Sequence, residues 1–202
     1  MAKSQNGWPV QKTKTNLWPH PQVGPILAGP VWVVFAAFLR RYEIEVEPIG
    51  KSSSGCWNPR KIAGSTKWSN HASATAVDLN WGKHPVGGKY TGYTADQVTA
   101  VYDLLEDLPV LRWGGPAFKD PMHFEIRPGV TAAQVEKLAN KLLQSTLHDL
   151  GYFLGKAGVD GVRGPLTRAA LDAFQRAQGL TPDQIDGPKT WAALATATEK
   201  AA

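Results

Sequence analysis

The stretch Trp68-Ser69-Asn70-His71-Ala72-Ser73-Ala74-Thr75-Ala76-Val77-Asp78-Leu79-Asn80, with Asp120-Pro121-Met122-His123-Phe124-Glu125-Ile126 further on, decides how the chain is read. Histidine nitrogen and carboxylate oxygen are both good zinc ligands. Three protein ligands with a fourth position left for water mark a hydrolytic rather than a structural zinc. His71, Asp78 and His123 supply three such ligands. Asp120 is hinged to His123 by Pro121 and stands where a general base takes a proton from water without ligating the metal. Either histidine alone reads as an ordinary packed side chain; the set together reads as a metal site.

Around these residues the pattern predicts a small sheet. Ala76 to Trp81 reads as a short strand carrying Asp78 inward, and Val110 to Trp113 and Met122 to Ile126 are the other strand candidates. On a strand His123 and Glu125 share a face. Glu125 is therefore either a partner that orients a ligand histidine or the competitor of Asp120 for the role of base. Trp113 and Phe118 are cleft walls or core. Gly82 to Gly92, rich in Gly and Pro, predicts a loop at the cleft's edge with His84 exposed on it.

Helices flank the sheet. Thr94-Ala95-Asp96-Gln97 reads as a capping box opening a helix to Leu108, whose Val98, Val101, Leu104, Leu105 and Leu108 lie on one side. Val31 to Tyr42 starts a helix after Pro30 and ends it in Arg40-Arg41, which complement the C-terminal dipole. Glu43, Glu45 and Glu47 then alternate with Ile44, Val46 and Pro48, the period of a half-exposed strand with its acids in solvent. Residues 1 to 30, with Trp8-Pro9, Trp18-Pro19 and Gly29-Pro30, read as an irregular wrap in which His20 has a surface or packing role.

After Arg127-Pro128-Gly129 only helical patterns remain, beginning at Thr131 and carrying Val135, Leu138, Leu142 and Leu143. This part contains an internal echo. Val159-Asp160-Gly161 followed by Gly164-Pro165-Leu166-Thr167 is set against Ile185-Asp186-Gly187-Pro188-Lys189-Thr190. Each is a turn feeding a helix that Pro can open without losing a hydrogen bond, and Leu171 and Phe174 should centre a three-helix core.

Composition bounds the function. With 43% hydrophobic and 19% charged residues the chain is globular, and its net charge of +5 favours an anionic partner. The basic residues are scattered pairs such as Lys12 and Lys14 or Arg40 and Arg41, not a nucleic-acid stripe, so nucleic acid is excluded as partner. Cys56 is the one cysteine and reads as a packed small hydrophobe; no intrachain disulfide is possible. Met1 to Val10 has no apolar signal core, and Val31 to Leu39 falls short of the ~20 residues that span a bilayer. The expectation is a chain made in a host cytoplasm without a signal peptide and without stable membrane insertion.

The first motif resembles the LAS group of zinc peptidases, which includes D-alanyl-D-alanine carboxypeptidases and the L-alanyl-D-glutamate endopeptidases of phage lysins. In that group Ser-x-His, six residues and Asp are matched by Ser69, His71 and Asp78, and acidic-x-x-His by Asp120 and His123. The resemblance implies that an arginine upstream of Ser-x-His contacts substrate, and Arg60 is the match, placed to hold a peptide carboxylate or the oxyanion at the scissile carbonyl. The chain departs from the group in having Ala74 where Gly is common and Asp rather than Glu as base.

Leu150-Gly151-Tyr152, Asp160-Gly161, Gly164-Pro165-Leu166-Thr167 and Phe174-Gln175 are similar to the three-helix peptidoglycan-binding domain of wall hydrolases. The merged Asp186-Gly187-Pro188 implies a shortened last loop. The fold expected is α+β: a small antiparallel sheet with flanking helices carrying the zinc site over residues 1–130, then a three-helix peptidoglycan-binding domain over residues 131–202. The function expected is that of a monomeric zinc peptidase cutting the stem peptides of peptidoglycan as a phage endolysin at the cell wall. The alternatives are a D-Ala-D-Ala carboxypeptidase of bacterial wall metabolism and a wall-binding protein without catalysis.

Overall fold

The computed structural model describes Met1–Ala201. It divides into two compact units, one of Met1–Ala28 with Phe35–Thr131 and one of Gly29–Val34 with Ala132–Ala202.

The first unit is built on strands β3 (Ala76–Asp78), β4 (Leu111–Trp113) and β5 (His123–Ile126), with β5 in the middle and antiparallel to both neighbours. The central strand is buried at every position. Its Phe124 organises the core: Phe38 and Tyr42 of helix α1 (Pro30–Glu45) lie 4.9 and 5.7 Å from its ring, and Trp113 stacks on it at 6.0 Å. Trp113, left open as wall or core, is core, whereas Phe118 is exposed. Helix α2 (Ala95–Asp107) packs against β4, and its N-terminus carries the expected capping box, with Thr94 and Gln97 exchanging side-chain and backbone bonds. The five-residue helix α3 (Gly114–Phe118) follows β4 directly. Glycine is required there, because a Cβ on Gly114 would meet the Asp120 carbonyl at 2.6 Å and one on Gly115 the Trp113 ring at 2.8 Å.

Three expectations are corrected. The wrap of residues 1 to 30 contains a hairpin, β1 (Leu17–His20) paired with β2 (Gly24–Leu27), which buries Val23 and Ile26. The strand expected over Ile44 to Pro48 is absent. Nothing breaks the helix before Pro48, so α1 runs to Glu45 and leaves Ile44 exposed. Glu47 and His84, both expected in solvent, are buried against each other at 2.7 Å. Glu47 also accepts from Asn80, Lys83 and Tyr42, and His84 stacks on Tyr93 at 3.7 Å. A buried carboxylate persists only with such donors. This network pins Asn80, just beyond Asp78.

The second unit contains helices α4 (Ala132–Asp149), α5 (Pro165–Ala177) and α6 (Pro188–Ala201). Leu143, Leu147, Leu154, Ala170, Leu171, Phe174 and Leu194 form its core, with Leu171 and Phe174 among the most deeply buried. Two turns are held by the same device. Gln144 Nε2 donates to Asp160 Oδ1, the Val162 carbonyl and Thr167 Oγ1, while its Oε1 accepts from Gly161 N–H. Gln175 repeats this with Asp183, Ile185, Thr190 and Gln184 N–H. The echo therefore aligns Asp160 with Asp183, not with Asp186. The last loop is not shortened: Asp and Pro stand five positions apart in both turns, and Gln184 replaces the glycine at a left-handed φ of 59°.

Candidate active site

His71 sits in a 3-10 turn (Asn70–Ser73) whose N-cap is Ser69, the Ser69 side chain accepting from His71 N–H at 3.3 Å. The serine of Ser-x-His thus shapes the backbone that presents the histidine. The turn ends at Ala74 with φ 55°, a left-handed conformation where glycine is cheapest. That explains why Gly is common in the resembled motif. Asp78 ends β3, and the sheet register sets it directly opposite His123 on β5.

The three side chains converge. His71 Nε2 lies 3.1 Å from Asp78 Oδ2 and 3.2 Å from His123 Nδ1, and His123 Nδ1 lies 2.9 Å from Asp78 Oδ1. The group satisfies the geometry of a metal site, with ligand atoms all within 4.8 Å of one another. A zinc with bonds of ~2.0–2.1 Å at tetrahedral angles holds its ligand atoms ~3.3 Å apart, close to these separations.

The outward nitrogens fix which ring atoms face the centre. His71 Nδ1 is 2.7 Å from the Cys56 carbonyl, which only accepts, so Nδ1 carries the proton and Nε2 presents its lone pair. His123 Nε2 donates to Glu125 Oε2 at 3.0 Å, leaving Nδ1 to the centre. Glu125 is in turn gripped by Arg112, directly across on β4 at 2.6 Å, and by Asn70 Nδ2. Carboxylates behind ligand histidines commonly orient them in this way. Arg112 and Asn70 escaped the sequence reading, although Arg112 at an alternate strand position offered a faint signal.

The charges are poised for a cation. Burial would raise Asp78, but hydrogen bonds from His123 and His71 overcome it and hold the carboxyl below its usual range. Burial likewise opposes charge on His123, yet Asp78 and Glu125 prevail and raise it to about 9.

Asp120 is tied in by its backbone, its carbonyl accepting from His123 N–H at 3.2 Å, while Pro121 accepts from Trp113 Nε1 at 2.6 Å. Its Oδ1 is buried with no hydrogen-bond partner among the described residues. Burial raises its pKa, and the charges of His123, Asp78, His71 and Arg60 all reach it. Arg60 is exposed, and its carbonyl accepts from Ser69 N–H at 3.1 Å, which links it to the turn bearing His71. The phenyl ring of Phe118 stands edge-on to His123 at 5.4 Å. His20 and His84 lie outside this group: His20 is buried on β1, and His84 belongs to the Glu47 network.

Residues 63–126 match the model of a peptidase family described as D-alanyl-D-alanine carboxypeptidase, and residues 139–194 match that of a peptidoglycan binding domain. The chain thus carries an M15-type peptidase domain followed by a peptidoglycan-binding domain. One stretch of 56 residues is 48% identical to an uncharacterized protein in the bpoA1 3' region of Kitasatospora aureofaciens, covering 28% of this chain and 47% of that protein. The chain spans about half the length of the curated relative it matches. No solved structure matches it.

Proposed function

We propose that the chain is a zinc-dependent peptidase that cuts stem peptides of bacterial peptidoglycan and serves as a phage endolysin, residues 1–130 catalysing and residues 131–202 holding the polymer. The observation that carries this reading is the convergence of His71, Asp78 and His123, whose charges reach Asp120, a residue with a buried carboxylate oxygen that has no hydrogen-bond partner among the described residues.

His71 Nε2, a carboxylate oxygen of Asp78 and His123 Nδ1 would hold the zinc, a donor set typical of sites left open for water. Zinc held there would supply Lewis-acid polarisation of the scissile carbonyl and a lowered pKa for water. Asp120 takes the proton of the attacking water and passes it to the leaving amine. Its raised pKa moves it towards the pH at which a base both accepts and returns a proton. Arg60, exposed and with its charge reaching Asp120, steadies the charge that develops on the carbonyl oxygen or holds a substrate carboxylate. Glu125 takes no proton from water in this scheme, because its oxygens are engaged by His123, Asn70 and Arg112 behind the histidine.

The test is digestion of purified sacculi by the full chain, with and without a chelator, followed by mass spectrometry of the fragments. Cleavage between L-Ala and D-Glu detaches the stem and clears the suspension. The second reading, favoured by the description of the matching family, is removal of terminal D-Ala, which leaves the sacculus intact. Sacculi bound but chemically unchanged, by a chain shown to carry zinc, would overturn the catalytic reading in favour of wall binding alone.

A further inference from the structure

The N-terminal segment lies outside the matched peptidase stretch, which begins at residue 63, yet it is hydrogen-bonded into the ligand-bearing turn. Gln5 N–H donates to the Trp68 carbonyl at 3.0 Å and Gln11 N–H to the Ala72 carbonyl at 2.8 Å, so the segment runs alongside residues 68–72. Ser4 and Asn6 are both buried, with exposures of 6% and 5%. Burying two polar side chains near a chain terminus is costly unless their bonds are made, and here all are made.

Asn6 is held at both ends. Its Nδ2 donates to Thr75 Oγ1 at 2.9 Å and to the Ile126 carbonyl, the last residue of β5, at 3.0 Å. Its Oδ1 accepts from Ser4 Oγ at 2.7 Å. So fixed, it directs its backbone N–H to Asn70 Oδ1 at 2.8 Å. That bond settles which way the Asn70 amide faces, because the flipped amide would set a donor against the Asn6 N–H and an acceptor against Glu125. In the orientation observed, Asn70 Nδ2 donates to Glu125 Oε2, the oxygen that also accepts from His123 Nε2.

We propose that this segment is part of the metal centre, with Asn6 a positioning residue that acts through Asn70 and Glu125 to hold the ring of His123. The inference rests on the reading of His71, Asp78 and His123 as metal ligands. Asn6 touches neither metal nor substrate; it removes the freedom of the acid that orients a ligand. Loss of such outer partners commonly weakens metal binding by ~10- to 100-fold.

The experiment uses the full chain and measures zinc affinity by chelator competition, together with the visible spectrum of the cobalt-substituted protein, which reports coordination geometry. Asn6→Ala should bind zinc ~10- to 100-fold more weakly and alter the cobalt bands. Leu104→Ala, a buried change in α2, should lower the melting temperature and leave affinity and spectrum as in the wild type. If Asn6→Ala fails to fold, Ser4→Ala, which frees Asn6 Oδ1 and also removes the Ser4 contacts to the Trp8 carbonyl and Ser73 Oγ but leaves the Asn6 bonds to Thr75, Ile126 and Asn70 in place, gives the reading, with a smaller loss of affinity in the same direction. A folded Asn6→Ala or Ser4→Ala chain with wild-type affinity and spectrum overturns the inference and leaves the segment a packing strap. Wild-type protein that binds neither metal overturns the underlying metal reading instead.

Discussion

At the scale of single residues, the site depends on which face each side chain takes. Asp78 and His123 meet because they are paired across β3 and β5, and a slip of one residue would turn either into the core. Asp120 and Glu125 occupy different places, so their substitutions should separate. Asp120→Ala should retain zinc and lose ~100-fold or more in turnover, whereas Asp120→Glu should keep substantial activity. Glu125→Gln should chiefly weaken zinc affinity, by ~10- to 100-fold, with turnover recovering in excess metal. Turnover and bound zinc measured on the same preparations check both; an inactive Glu125→Gln with full zinc beside an active Asp120→Ala would exchange the roles. His20 supplies a pH prediction. Burial lowers its pKa from 6.5 to about 4, so in that window the unfolded chain binds the proton that the folded chain refuses. Stability attributable to His20 is therefore present above pH 6.5 and lost as pH falls towards 4, by up to about 3 kcal/mol. Denaturant melts of wild type and His20→Leu over that range should show the wild type losing stability relative to the variant on acidification.

At the scale of elements, the two turns of the second unit share one hydrogen-bond plan with different residues at the left-handed position. Gly161, at φ 82°, cannot accept a side chain, since a Cβ would meet Lys137 Cγ at 2.8 Å and the Lys137 carbonyl at 2.9 Å. Gln184 is exposed, and its structural bond is made by the backbone N–H. Gln184→Gly should therefore raise the stability of this unit by about 1 kcal/mol, and Gly161→Ala should lower it by more than that. Thermal unfolding of each variant gives the sign directly.

At the scale of the whole molecule, the chain has a net charge of +5, which favours an anionic partner such as the proposed wall polymer. The second unit has a hydrophobic cluster drawn from residues 143–194. A fragment from Thr131 onward should then sediment with purified sacculi, and added salt should weaken that binding as screening shortens the reach of the charges. A folded fragment that stays in the supernatant at low salt would refute the binding role.

The sequence by itself determined the elements whose causes are local. Thr94 and Gln97 announce a helix start within one turn, Pro165 and Pro188 open helices, and the apolar spacing through Leu171 and Phe174 marks a helical core. The residue types and offsets of His71, Asp78, Asp120 and His123 were legible for the same reason, since a motif is a local record of chemistry. Only the tertiary structure decided what joins distant positions. Asn6 meets Asn70 across 64 residues, Arg112 meets Glu125 only through the register of β4 on β5, and Glu47 is buried because His84 and Asn80 arrive from another part of the chain. The alternation of Glu43, Glu45 and Glu47 looked like a strand because periodicity records exposure without recording partners. An isolated acid in sequence carries no sign of the donors that folding will bring to it, and it is those donors that make its burial affordable in free energy.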